Sequence, residues 1–204
     1  MYKKYIKRLM SIIISLFGLV VLFPLVVTIL VIIKVDSKGK AIFCQKRLGK
    51  NQVEFTVYKF RTMVINAYEI GGASSYNGDP RITRVGSFLR KTSLDEIPQL
   101  INILKGEMCI IGPRPILREE FEPYESNVLY AKRYDVRPGL FCTVDMDYRA
   151  NATRELQFEM DAHYVNNISF KLDIIVFFKT FFTVLSQKNV YKKEERVSRR
   201  IVIK

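Results

Sequence analysis

LMSIIISLFGLVVLFPLVVTILVII, residues 9–33, runs for 25 positions without a charge. As a helix, such a stretch is long enough to cross a hydrocarbon core of roughly 30 Å. A cleaved signal peptide has a shorter apolar region followed by small residues, whereas this run continues straight into Lys34. Lys3, Lys4, Lys7 and Arg8 precede it and Lys34, Lys38, Lys40, Lys46 and Arg47 follow it, so the distribution of basic residues sets no orientation. Pro24 divides the run. A proline inside a helix removes one backbone hydrogen bond and crowds the preceding turn, so a kink or break is expected there. A kinked transmembrane helix and a helix that enters the bilayer and turns back both satisfy these facts.

The chain has 204 residues, enough for one core with an appended anchor. Three segments are expected: a membrane-embedded 1–36, a catalytic domain over 37–188 with interfacial helices, and a basic tail over 189–204. Lys and Arg number 33 against 20 Asp and Glu, a net charge of +13, which calls for anionic partners. Beside a long apolar run these are anionic membrane lipid and phosphorylated substrates. No nucleic-acid recognition module is visible, so nucleic acid is not expected as a partner. Cys44, Cys109 and Cys142 are odd in number and far apart, and His163 is the single histidine, so neither a disulfide framework nor a zinc site is expected.

Past the anchor, the apolar alternation over residues 41–61, interrupted at Gly49, Lys50 and Asn51, predicts a β-hairpin. GGASSYNGDP, residues 71–80, predicts a loop. Residues 83–105 predict a helix, a short break and a second helix stopped by Gly106. A further helix is expected over 116–134, between GPRP at 112–115 and RPG at 137–139. LDIIVFFKTFFTVLSQK, residues 172–188, is apolar on nearly every face and too short to span comfortably, so it should be buried or interfacial. The cations from Lys188 to Lys204 suit anionic lipid. The fold class expected is α+β and mainly helical.

Chemistry concentrates in RKTSLDEIPQL, residues 90–100, where Asp95 and Glu96 adjoin two cations. Ser93 and Glu96 have the spacing of a capping box, which would make Glu96 a helix-capping residue. A helix beginning at Pro98 would instead leave both carboxylates in the loop before it, freer to react. Neighbouring carboxylates near arginine suit a diphosphate substrate: one can hold a hard cation such as Mg2+ while the other attacks phosphorus. Cations that could clamp phosphate oxygens are Lys59, Arg61, Arg90, Arg114 and Arg137.

The ordered segments IFCQKRLGKN, FTVYKFRTM, DPRITRVGSFLRKTSLDEIPQLINILKGEMCIIGPRP, RPG and DAHYVNNISFKLDI span nearly the whole chain. They resemble the bacterial sugar transferase family of monotopic phosphoglycosyl transferases. The resemblance implies transfer of a sugar 1-phosphate from a UDP-sugar to polyprenyl (undecaprenyl) phosphate with release of UMP. It implies Asp95 as nucleophile, forming a covalent phosphosugar intermediate, Glu96 as the magnesium ligand, and Lys59, Arg90 and Arg114 on the phosphates. It also implies a re-entrant N-terminal helix, broken here by Pro24 alone because Phe23 stands where the family has serine. The active site would then face the cytosol from the bacterial inner membrane; a homo-oligomer stays open. After RPG the family reads close to GITGWAQVNGRN, but this chain has GLFCTVDMDYRAN over residues 139–151, a departure where the nucleotide-sugar pocket is expected. A non-catalytic membrane-bound scaffold of the same ancestry is the alternative that this departure suggests.

Overall fold

The computed structural model describes residues 1–72, 75–186 and 190. The expected basic tail therefore lies outside the described residues, Val190 aside, and Ala73 and Ser74 of the glycine-rich loop do too. The architecture is α+β and mainly helical, with a long apolar N-terminal helix and two small sheets. The long helix, α1, runs unbroken over Lys7–Asp36 with Pro24 inside it. Of the kink or break expected at Pro24, the break is absent, since the chain stays helical through it. Thr28 donates its hydroxyl to the Pro24 carbonyl at 2.9 Å, so a side chain makes a local bond beside the site of the missing N–H.

One narrow stripe of α1 packs inward. Lys7, Ser11, Ser15, Ile29 and Ile33 are buried, and Leu19, Leu22 and Val26 lie against the same core. This 3.6-residue recurrence puts them on one face. The small residues allow close approach: a Cβ on Gly18 would meet Leu100 at 3.3 Å. Most of the rest of α1, including Phe17, Val20, Val21, Phe23 and Val31, is exposed.

Both ends of α1 are fastened to the folded unit by charged side chains. Lys7 ion-pairs with Asp173, which also accepts from Tyr2 at 2.5 Å and Tyr164 at 2.6 Å. Arg8 donates to the Ile103 and Leu104 carbonyls at 2.6 and 3.3 Å. At the far end, Arg61 donates to the carbonyls of Ile33, Ser37 and Lys38 and to the Ser37 hydroxyl. Ile33 lies in the last turn of α1, where its carbonyl also accepts from the Ser37 N–H, and the other acceptors lie just past the helix, whose negative end suits a buried cation.

The hairpin pairs β1 (Ile42–Leu48) with β2 (Glu54–Phe60) in antiparallel register, Phe43 opposite Lys59. Its connection is longer than the three residues expected, with Asn51 and Gln52 both in the left-handed region. After α2 (Ala67–Gly71) come α3 (Arg84–Thr92) and α4 (Gln99–Lys105). Gly86 on α3 lies so close to Thr62 that an added Cβ would sit 2.0 Å from the Thr62 carbonyl oxygen. Thr83 caps α3 by accepting from the Gly86 N–H at 2.9 Å.

β3 (Cys109–Ile111) and β4 (Gly139–Phe141) form a short parallel pair not anticipated from the sequence. It explains the glycines of GPRP and RPG, because Gly112 and Gly139 face each other too closely for a Cβ on either. The single helix expected over 116–134 is instead a series of short turns. These include α5 (Arg118–Phe121) and α6 (Val128–Ala131), separated by Pro123 and by Asn127, whose side chain caps α6. Finally, α7 (Arg154–Asn166), also unanticipated, leads to α8 (Phe170–Leu185). Asp173, Val176 and Thr180 of α8 are buried, while Ile174, Ile175, Phe178, Phe181 and Phe182 are exposed.

Candidate active site

Asp95 and Glu96 sit on a single 3-10 turn, Leu94–Glu96, between α3 and α4. Ser93 ends α3 in the left-handed conformation, φ 55°, which turns the chain so that both carboxylates precede α4. Pro98 occupies the N-cap position of α4. The capping box is not formed: no side chain caps the turn, the Ser93 hydroxyl accepts from Arg149 at 2.9 Å, and the Glu96 carboxylate turns to cations.

Those cations arrive from two directions. Lys59 on β2 donates to Glu96 Oε1 at 2.5 Å, and Arg114 of GPRP reaches the same oxygen at 3.5 Å. Asn102 holds β2 against α4: it accepts from the Tyr58 N–H at 3.1 Å and donates to the Thr56 carbonyl at 2.6 Å. The fully buried Asn102 thereby fixes Lys59 against Glu96, a positioning role that its place in an apolar helix did not suggest. Arg90, on the last turn of α3, donates to the Thr62 hydroxyl at 2.8 Å and the Ser75 hydroxyl at 2.7 Å.

Two expected phosphate-clamping residues are placed elsewhere. Arg61 is 8% exposed and is spent on the C-terminus of α1. Arg137 donates to the Gly106 carbonyl at 2.6 Å, closing the end of α4. Both are helix-capping cations, which an isolated arginine in a basic sequence does not distinguish from a ligand-binding one.

The surroundings pull the two carboxylates apart. Burial raises Asp95 above the ordinary aspartate range, more than Lys59 can offset, and the Glu96 charge adds to the rise. Burial would raise Glu96 as well, but the charges of Lys59 and Arg114 and the Lys59 hydrogen bond overcome it and hold Glu96 low. Adjacent acids with separated affinities for a proton suit different chemical roles.

The sequence model of the bacterial sugar transferase family matches residues 2–187. The chain belongs to the bacterial sugar transferase family. Among similar proteins, the UDP-N-acetylgalactosamine-undecaprenyl-phosphate N-acetylgalactosaminephosphotransferase of Aeromonas hydrophila is 38% identical over 186 residues, 89% of this chain and 44% of that protein. Exopolysaccharide production protein ExoY of Sinorhizobium fredii is 36% identical over 200 residues, 91% of this chain and 88% of that protein. The undecaprenyl-phosphate galactose phosphotransferase of Salmonella typhimurium is 35% identical over 203 residues, 92% of this chain and 42% of that protein. The chain thus spans under half the length of the Aeromonas and Salmonella relatives.

In this member of the family, the stretch that departs from the family pattern lies at the site. Asp145, on the turn Thr143–Met146, is buried and accepts from Arg114 at 3.0 Å, and its charge is the main influence raising Arg114. Arg149, in the left-handed region at φ 48°, bonds Ser93 beside the carboxylates. Neither residue stands out in the sequence; the only signal there is the altered segment that holds both. Among the described residues no cluster of three or more His, Cys, Asp or Glu forms a metal cage. A magnesium ion does not require one, since it is usually held by one or two carboxylates together with substrate phosphates. Glu96 is a carboxylate of that kind, and both of its cation contacts fall on Oε1.

Proposed function

We propose that this chain is a phosphoglycosyl transferase that moves a sugar 1-phosphate from a UDP-sugar to polyprenyl phosphate, undecaprenyl phosphate in bacteria, and releases UMP. The observation that carries the proposal is the asymmetry of the carboxylate pair: Lys59 and Arg114 converge on Glu96, and Asp95 beside it is the less cation-bound and more basic of the two. In the first step an Asp95 oxygen bonds to the β-phosphorus of the donor. The bond from that phosphorus to the bridging oxygen breaks, and its electron pair leaves with UMP. In the second step a phosphate oxygen of the polyprenyl acceptor bonds to the same phosphorus, the aspartyl–phosphate bond breaks, and Asp95 returns as a carboxylate. Lys59, Arg90 and Arg114 bind and orient the non-bridging oxygens as charge develops on them. Glu96 would hold a magnesium ion, whose chemistry there is to neutralise charge on the leaving phosphate. The product, a polyprenyl diphosphate sugar, starts a surface glycan such as an exopolysaccharide.

The anchor supports a monotopic arrangement. At about 1.5 Å per residue α1 is about 45 Å long, yet Lys7 and Arg8 at one end and the carbonyls around Ser37 at the other all bind one folded unit. A helix crossing to the far leaflet would strand one of these charged attachments there. We therefore take α1 as re-entrant, both ends on the cytosolic face of the inner membrane, which for a continuous helix requires a bend, with Pro24 as the place for it. The exposed aromatic face of α8 would rest in the same interface, near anionic headgroups that suit Lys3, Lys4, Lys34 and Lys38.

The test is UMP release by purified protein given magnesium, undecaprenyl phosphate and each of a panel of UDP-sugars. At least one donor should release UMP, Asp95→Asn should abolish release, and donor alone should add a phosphosugar mass to the peptide carrying Asp95. Turnover that survives Asp95→Asn would remove Asp95 as the nucleophile.

A further inference from the structure

Asp145 lies between two cations that each reach the turn carrying Asp95 and Glu96. Arg114 forks: one nitrogen donates to Asp145 Oδ2 at 3.0 Å and the other contacts Glu96 Oε1 at 3.5 Å. Arg149, four residues beyond Asp145, bonds Ser93 at the base of the same turn. Asp145 is 8% exposed, so its charge acts in a setting that screens it little. Arg114 itself is more open, its side chain 37% exposed, and without a second anchor a long guanidinium so placed would follow the strongest nearby anion. Counted from Gly139, Asp145 falls where the family pattern has its glutamine, a neutral acceptor that would hold the guanidinium less strongly than a carboxylate does.

We propose that Asp145 is a positioning residue that holds Arg114 at a fixed distance from Glu96, so that the guanidinium meets the transferring phosphoryl group instead of collapsing onto the carboxylate or the bound diphosphate. The inference rests on the proposed phosphoryl transfer and assigns to Asp145 a cost in ground-state binding. A carboxylate that holds Arg114 back withholds that cation from the bound diphosphate, and what it secures is orientation during transfer.

The consequence is an opposed split. In Asp145→Asn, which keeps the shape and the acceptor oxygen, kcat should fall about ten- to hundredfold. KM for the UDP-sugar should fall with it, and UDP itself should bind about three- to tenfold tighter as Arg114 is released toward the diphosphate. Asp145→Gln should behave alike, and neither change should add to the effect of Arg114→Gln when combined with it. A merely structural acid gives a different pattern: a lower active fraction, weaker or unchanged UDP binding, and losses that add to those of Arg114→Gln.

The experiment is titration of UDP with magnesium into the four proteins, wild type, Asp145→Asn, Arg114→Gln and the double variant, in parallel with UMP-release kinetics. Tighter UDP binding in Asp145→Asn that disappears in the Arg114→Gln background supports the inference. Weaker, unchanged or additive binding overturns it, whichever variant at position 145 folds well enough to measure. The titration needs no turnover, so the two readings fail separately: a wild type that binds UDP without releasing UMP counts against the transferase activity, while the binding data alone decide the role of Asp145.

Discussion

Replacing Asp173 by alanine should loosen the N-terminal half of α1 from the folded unit, and the cost follows from what Asp173 holds. Its carboxylate pairs with the Lys7 ammonium and accepts from the hydroxyls of Tyr2 and Tyr164, with the Lys7 and Asp173 side chains 9% and 8% exposed. Removing it leaves a buried ammonium with the Tyr164 oxygen at 2.7 Å as its remaining hydrogen-bond acceptor here. Breaking a buried pair in this way costs about 3–5 kcal/mol. Lys7→Ala should cost less, about 1.5–3 kcal/mol, because Asp173 keeps two hydroxyl donors. At about 2–4 °C per kcal/mol for a chain of this size, Asp173→Ala should lower the unfolding temperature by about 6–20 °C. The chain has no tryptophan, so the assay reads thiols: Cys109 and Cys142 are buried and Cys44 is exposed. In a Cys44→Ser background in detergent, a thiol-reactive dye reports global unfolding. Cys109 lies on β3, whose Ile110 N–H bonds Ser11 of α1, so early labelling of Cys109 alone reports detachment of the helix. A combined Lys7→Met, Asp173→Leu protein should recover much of the loss. Equal costs for the two single substitutions, or a larger one for Lys7→Ala, would refute the argument.

Three other outcomes are expected. Since burial raises Asp95, and the residue must shed its proton to attack, kcat/KM should decline with falling pH from well above the ordinary aspartate value of about 3.9; an acidic limb at or below that value in a pH profile of UMP release contradicts this. Arg61→Ala should destabilise by about 2–4 kcal/mol, through the freed carbonyls at the end of α1, while the surviving active fraction keeps the KM of the wild type; a raised KM at unchanged stability would return Arg61 to the phosphate site. In the Cys44→Ser background, Lys4→Cys and Lys38→Cys should both react with a membrane-impermeant thiol reagent in inverted vesicles and neither in intact spheroplasts; opposite sidedness would mean that α1 crosses the bilayer.

What the sequence could and could not convey follows from where information is stored. The hairpin, the helix-break-helix around the carboxylates and the stop at Gly106 were legible because turn chemistry and periodicity are local. The buried stripe of α1 was not, since an all-apolar helix has no polar face to mark its opposite side. The β3–β4 pair escaped because three-residue strands carry too little pattern and their partnership spans 30 residues. Pro123 sits in the middle of the stretch expected to form one helix, and its breaking of that helix follows from its missing N–H. At the site, Asp95, Glu96, Lys59, Arg90 and Arg114 are drawn together, but nothing local separates Arg114 from Arg61 or Arg137. All three are arginines at segment ends, and only the fold decides which end faces a carboxylate and which a helix terminus.

The same contrast bears on how the carboxylates divide their work. Adjacent acids on a flexible loop would share their cations and titrate as equals. Here α3 ends in a left-handed serine and α4 starts just beyond Pro98, and on the intervening turn Glu96 is the carboxylate that takes the hydrogen bond from Lys59. Lys59 is fixed by β2, β2 is fixed by Asn102 of α4, and α4 is the helix that the turn leads into. The cation that lowers Glu96 is therefore tied to the same helix that positions Glu96, and thermal drift of the hairpin cannot easily transfer Lys59 to Asp95. A distinction between a carboxylate that carries charge and one that keeps its basicity is built from a single buried asparagine and a strand edge, which is why changes at Asn102 should equalise the pair more effectively than changes in any exposed cation around it.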